Sequence, residues 1–145
     1  MRKVLIVEDD LMIADMVDLV LVEHGYNVCG VARTVTDAIA LVREQNPDFA
    51  VIDMRLGDDE LGTEVVARLG GGLGNLGVLY ATGNKSKLSG ADGHACISKP
   101  YRDIDLIRGL EIVAEIMATG TASPPFPRGF QVLTRTSSKR EPVIN

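Results

Sequence analysis

Val4-Leu5-Ile6-Val7-Glu8-Asp9-Asp10 decides the reading of this chain: four apolar residues rich in β-branched types, followed by three carboxylates. Such a run reads as a buried strand ending in a polar turn. The pattern returns at Asn27–Ala32, at Phe49–Ile52 leading directly into Asp53, at Val78–Ala81 and at Ala95–Ser98. Helix-period segments lie between these strands. The first spans about residues 11–24, with Ile13, Met16, Val17 and Val20 expected to face inward and Gly25 at its stop. Thr34 and Asp37, at capping-box spacing, open the second, with Val35, Ala38, Ile39 and Val42 on one face and Pro47 at its end. A weaker helix is expected at roughly 60–69, and residues 84–93 can hold at most a short one. The last covers about 103–118, with Leu106, Leu110, Val113 and Met117 inward. Five strands, each followed by a helix-like segment, predict an α/β fold: a flavodoxin-like (βα)5 doubly wound parallel sheet of strand order 2-1-3-4-5.

The 145 residues suit one domain, placed at 1–118. Four of the six prolines fall in residues 119–145, which read as a Pro-rich, disordered C-terminal tail. The acidic body (19 acidic against 11 basic residues in 1–118) argues against nucleic-acid binding, and the tail, with 4 basic residues against 1 acidic, is too short to reverse that. No apolar run is long enough to cross a bilayer, and the N-terminus lacks the pattern of a secretory signal, so a cytoplasmic location is expected. Cys29 and Cys96 sit in apolar segments and read as buried thiols.

In a 2-1-3 arrangement the first and third strands are neighbours, so Glu8, Asp9, Asp10 and Asp53 meet at one sheet edge. Like charges about 4 Å apart repel by roughly 4 kcal/mol at an effective dielectric near 20. The cluster therefore either protonates or binds a hard cation, and an all-oxygen donor set with room for water suits Mg2+. A carboxylate beside such a cation can attack a phosphoryl donor and form an acyl phosphate. Thr82 after the fourth strand and Lys99 after the fifth project at the same edge, a hydroxyl and an ammonium to complete the cradle. Pro100 would fix the turn that carries Lys99, with a cis bond among its options. Taken singly, each residue is ordinary loop chemistry; their coincidence at four strand ends is what carries the functional reading.

Val4–Asp10, Val51-Ile52-Asp53-Met54-Arg55, Ala81-Thr82 and Ser98-Lys99-Pro100 resemble the receiver domains (CheY-like) of two-component response regulators, over about residues 2–118. The resemblance implies that Asp53 accepts a phosphoryl group from a histidine kinase or histidine phosphotransfer protein. It further implies that Asp9, Asp53 and the backbone carbonyl of Arg55 ligate Mg2+ with help from Glu8 through water, and that Thr82 and Lys99 bind the phosphoryl oxygens. Asp10 falls outside the usual acidic pair. Tyr80-Ala81-Thr82-Gly83 and Lys99-Pro100-Tyr101 also resemble the single-domain receivers called FAT GUY regulators, which act in phosphorelays. A downstream partner is then expected on the face of the fourth helix, fifth strand and fifth helix, around residues 84–105; a homodimer through the last helix and strand stays open. Two departures bear on the switch. Cys96 stands where most receivers carry an aromatic residue, with Tyr101 as a substitute or a packing residue, and Gly57 replaces a common proline, which would loosen the Asp53 loop.

An enzymatic alternative is a small phosphohydrolase that turns over through an aspartyl phosphate. It would need a general acid/base two residues after Asp53, where Arg55 stands, and a guanidinium cannot serve at neutral pH. A flavin-binding module is disfavoured because Glu8, Asp9 and Asp10 would repel the flavin phosphate. The Gly72–Gly77 run matches a dinucleotide fingerprint by letter but precedes a strand. His24 and His94 lack partners at metal-ligand spacing.

Overall fold

The computed structural model describes residues 2–70, 74–84, 88 and 91–133. Strands β1 (Lys3–Val7), β2 (Asn27–Ala32), β3 (Phe49–Asp53), β4 (Gly77–Thr82) and β5 (Ala95–Ser98) pair in parallel, joined in the order β2-β1-β3-β4-β5 that the alternating pattern predicts. A sixth strand, β6 (Phe130–Val132), adds to β5 in antiparallel sense. The expectation of an unstructured tail from residue 119 is therefore corrected for residues 119–133, whose backbone is bound to β5 and to the last helix. Residues 134–145 lie outside the described residues, as do parts of the glycine-rich run and of segment 84–93. Among the described residues no α-helix falls between β4 and β5.

Helices α1 (Leu11–Glu23), α2 (Val35–Gln45), α3 (Thr63–Arg68) and α4 (Asp103–Thr119) cover the two faces of the sheet. Alternate residues of one strand point to opposite faces. Val4, Ile6, Phe49, Val51 and Leu79 accordingly pack with α1 and α4, while Leu5, Val7, Ala50, Ile52 and Tyr80 pack with α2 and α3. Gly77 is required where α4 packs onto the start of β4, because a Cβ there would lie 2.6 Å from the Met117 sulfur and 2.8 Å from the Phe49 ring.

Helix α1 is rotated from its expected setting. Ala14, Val17, Val20 and Leu21 are buried, whereas Ile13 is 38% and Met16 65% exposed. Its sequence is apolar nearly all round, so several stripes were equally compatible with burial. Helix α3 starts later than expected. Residues 54–62 instead form a closed loop, held by Leu56 N–H to Glu60 carbonyl (2.9 Å), Glu60 N–H to Gly57 carbonyl (3.2 Å) and Gly62 N–H to Met54 carbonyl (2.7 Å). The loosening expected from Gly57 meets this set of ties. Glu60 also accepts the Val35 N–H at 3.1 Å, adding to the Thr34 cap on α2.

Candidate functional site at the carboxyl ends of the strands

The β1–β3 register pairs Val7 with Ile52, which sets Glu8 and Asp9 beside Asp53, the last residue of β3. Glu8 and Asp53 are buried, 6% and 7% exposed. Glu8 N–H donates to the Ala32 carbonyl at 2.9 Å, and Asp10 N–H donates to the Glu8 carboxylate at 3.1 Å. Glu8, Asp9 and Asp53 each present a carboxylate oxygen, all within 4.8 Å of one another. Asp10 does not join them: it is the N-cap of α1, accepting the N–H groups of Met12 (3.0 Å) and Ile13 (3.4 Å).

The hydroxyl and the ammonium arrive from the next two strands. Asp53 pairs with Ala81 and Thr82 with Ser98, while Lys99 N–H donates to the Thr82 carbonyl at 2.8 Å. The Lys99–Pro100 bond is cis. Lys99 Nζ donates to Asp53 Oδ1 at 2.5 Å. Asp53, Arg55, Thr82 and Lys99 line one cavity of about 380 Å3. Thr82 is buried; its Oγ1 accepts the Asn84 N–H (3.0 Å) and donates to the Asn84 carbonyl (3.2 Å).

The carboxyl of Glu8 is pushed up to about 7. Burial is the largest cause, with the Asp53 and Asp9 charges adding to it against the Asp10 N–H and Lys99. An all-oxygen, like-charged set this compact fits a hard divalent cation, whose charge would offset that repulsion.

The two switch candidates lie on opposite faces of the sheet. Cys96 is fully buried among the residues facing α2 and α3, directly across from Tyr80 on β4. Tyr80 is the aromatic residue beside Cys96 in this cluster, its hydroxyl donating to the Asp92 carbonyl at 2.6 Å, and Gly93 lies against the ring, where a Cβ would come within 2.5 Å. Tyr101 packs on the other face, beside the α1–α4 core, and its phenol is pushed up to about 12 by burial, then by Glu8 and Asp53.

Sequence reasoning missed Gly62. A Cβ at that position would overlap the Asp53 carbonyl oxygen and lie 2.6 Å from Ile52 Cγ2, so only glycine lets the loop close under the acidic residue. Its signal was a glycine nine residues after the strand-end Asp53, indistinguishable there from ordinary loop composition. Gly57 packs on Asp9, with a Cβ placed 3.1 Å from its Oδ2. The histidines serve structure: His94 Nδ1 accepts the Val78 N–H at 3.0 Å, and His24 Nδ1 lies 2.8 Å from the Val20 carbonyl.

Residues 4–111 match the response regulator receiver domain family. The chain belongs to that family. This receiver is 30% identical over 125 residues to the probable transcriptional regulatory protein TcrX of Mycobacterium tuberculosis, covering 83% of this chain and 52% of TcrX. It is 35% identical over 65 residues to the phyllosphere-induced regulator PhyR of Methylorubrum extorquens, covering 44% of this chain and 24% of PhyR. The receiver thus spans about half or less of these curated relatives. Among solved structures, the signal receiver domain of a modulated diguanylate cyclase from Desulfovibrio desulfuricans is 27% identical, with a TM-score of 0.69 over 83% of this chain and 99% of the other. The PhyR receiver domain of Erythrobacter litoralis, 21% identical with a TM-score of 0.71 over 84% and 96% of the two chains, shares the fold. Among the described residues, no helix of the receiver is long and apolar enough to cross a membrane.

Proposed function

We propose that this receiver accepts a phosphoryl group on Asp53 from a phosphohistidine of a histidine kinase or phosphotransfer protein, and signals through protein contacts. The observation that carries this reading is the Asp53 carboxylate, buried, held by Lys99 at 2.5 Å and flanked by Glu8 and Asp9. In the transfer an Asp53 oxygen attacks phosphorus. The new P–O bond forms as the P–N bond breaks, and that electron pair returns to the imidazole nitrogen. Lys99 compensates charge on the phosphoryl oxygens, its backbone being fixed by the bond to Thr82 and its ammonium already beside the accepting carboxylate. Asp9, Asp53, the Arg55 backbone carbonyl and Glu8, directly or through water, are the groups to hold Mg2+. When bound, the cation neutralises charge on nucleophile and transferring group.

Thr82 carries the report. To bond a phosphoryl oxygen, its hydroxyl must turn from the Asn84 carbonyl it now serves, so the start of the β4–β5 connection responds to the state of Asp53. Incubation with a cognate donor and Mg2+ should add one hydroxylamine-labile phosphoryl group by intact-mass spectrometry. An acid-labile, hydroxylamine-stable adduct would point to another residue and sink the assignment.

The donor must present its phosphohistidine at the mouth of this site, and the surface there is largely apolar. A groove of about 420 Å3, lined by Ile13, Met16, Val17, Pro100 and Tyr101 with Asp103 at one side, shares Lys99 with the Asp53 cavity. Met12, Met16 and Leu19 continue it along α1, at 77%, 65% and 60% exposure. An amphipathic donor helix carrying the phosphohistidine fits this strip, with adaptable methionines at its centre. Met16→Glu is expected to slow transfer from the cognate donor about tenfold, a loss of roughly 1.4 kcal/mol. Labelling by a small phosphodonor should stay unchanged; equal slowing of both would place the effect in the site instead.

The site also predicts a pH dependence. Glu8 ionises near 7 in the folded protein against an ordinary 4.5. Without divalent cation its contribution to stability is fully present below pH 4.5 and is lost as pH rises through 7. Mg2+ needs the ionised form, so its affinity should rise with pH up to about 7 and level above. Calorimetric titration across that range checks this, and Glu8→Gln should flatten the profile.

A further inference from the structure

Beyond Gly120, which closes α4 at φ 83°, the chain folds back along the helix it has just left. Ser123 donates from its N–H and its hydroxyl to the Glu115 carboxylate, both at 2.8 Å. Arg108 donates to the carbonyls of Ser123 (2.8 Å) and Pro125 (2.9 Å). Phe126 stacks on Phe130 at a centroid separation of 6.1 Å. The Phe130 ring lies over Gly109, where a Cβ would sit 3.5 Å from it, and packs against the α1–α4 core. The backbone then pairs with β5, Ile97 opposite Phe130 and Ala95 opposite Val132. Ser98 N–H to Gly129 carbonyl (3.0 Å) and Leu133 N–H to His94 carbonyl (2.9 Å) close the two ends.

What this strap covers is the part of the sheet best suited to accept another chain. β5 is Ala95-Cys96-Ile97-Ser98, without a charge or proline to deter pairing. Stripped of β6 it would expose a row of unpaired N–H and carbonyl groups beside the apolar surface under Phe130. β6 itself is three residues long, a poor template, so the strap exchanges a dangerous edge for a blunt one. The opposite edge is already blunted: the register of β2 with β1 slips between Val4 and Leu5. The strap pairs antiparallel, which is also the sense in which β5 would meet β5 of a second copy across a two-fold axis.

We propose that residues 120–133 are an intramolecular cover that keeps the chain monomeric by occupying the β5 edge, and that its displacement lets two copies pair there. The occupant that competes with the strap is a second copy of this chain. The inference stands apart from the chemistry at Asp53.

Full-length variants test it by sedimentation. Gly129 has φ +76°, and a Cβ there would lie 2.9 Å from Ser98 Cβ; Pro at 131 removes the N–H that faces β5. The wild-type chain should sediment as a monomer over a wide concentration range. Gly129→Val/Gln131→Pro should double in mass as concentration rises, with Ser98 N–H protected from exchange in the dimer. A dimeric wild type, a double variant that stays monomeric, or a dimer with an unprotected Ser98 N–H overturns the proposal. Should the double variant lose its cooperative melt, Gln131→Pro alone decides by the same criteria.

Discussion

Asp53→Asn is expected to remove phosphoryl transfer altogether, measured as radiolabel passed from a cognate donor. The substitution keeps size and shape but replaces a nucleophilic carboxylate by an amide that cannot form an acyl phosphate under these conditions. Two consequences inside the site separate this from loss of fold. Lys99 loses the carboxylate it holds at 2.5 Å, and Glu8 loses the Asp53 charge that helps to push its carboxyl up. Glu8 should then titrate closer to its ordinary range, while the cooperative melt survives because the β3 backbone pairing with β1 and β4 is untouched. Undiminished labelling of the mutant would show that another side chain accepts the group.

Gly62→Val should destabilise the fold by about 3 kcal/mol, the upper part of the range for forcing atoms into a packed interior. The reason is geometric: the first added carbon already overlaps the Asp53 carbonyl and lies 2.6 Å from Ile52 Cγ2, and neither can yield without moving β3. Backbone gives way less readily than the end of a flexible side chain. The same displacement would shift Asp53 from Lys99, so transfer should fall with stability. Urea denaturation measures the first effect and labelling at a temperature where the variant is folded the second. A variant as stable as the wild type would mean that the loop 54–62 can close in another way.

Much of the site was legible because of where strands end. Glu8, Asp9, Asp53, Thr82 and Lys99 stand at or just after the last residues of four apolar runs. Any parallel sheet in the order 2-1-3-4-5 brings those ends to one edge, and the structure does gather these five residues there. Strand position alone could not separate Asp9 from Asp10, since both follow the same strand; only the family resemblance set Asp10 outside the acidic pair. The direction of the side chain at the strand-to-helix turn decides that one faces Asp53 while the other caps α1. Cys96 posed a similar difficulty. Its pairing with Tyr80 is a cross-strand relation, and residues 16 apart reveal nothing of it until register is set.

By itself, then, the sequence determined the alternation of strands and helices, the sheet order and the convergence of the reactive groups, because each follows from local periodicity and the direction of parallel strands. The tertiary structure alone decided which side of α1 is buried, since a helix apolar nearly all round has no preferred stripe until it is packed. It also decided that a three-residue strand would close the sheet. Phe130–Val132 has no periodicity to announce it, and its stability comes from a β5 edge more than thirty residues away that only the folded sheet presents.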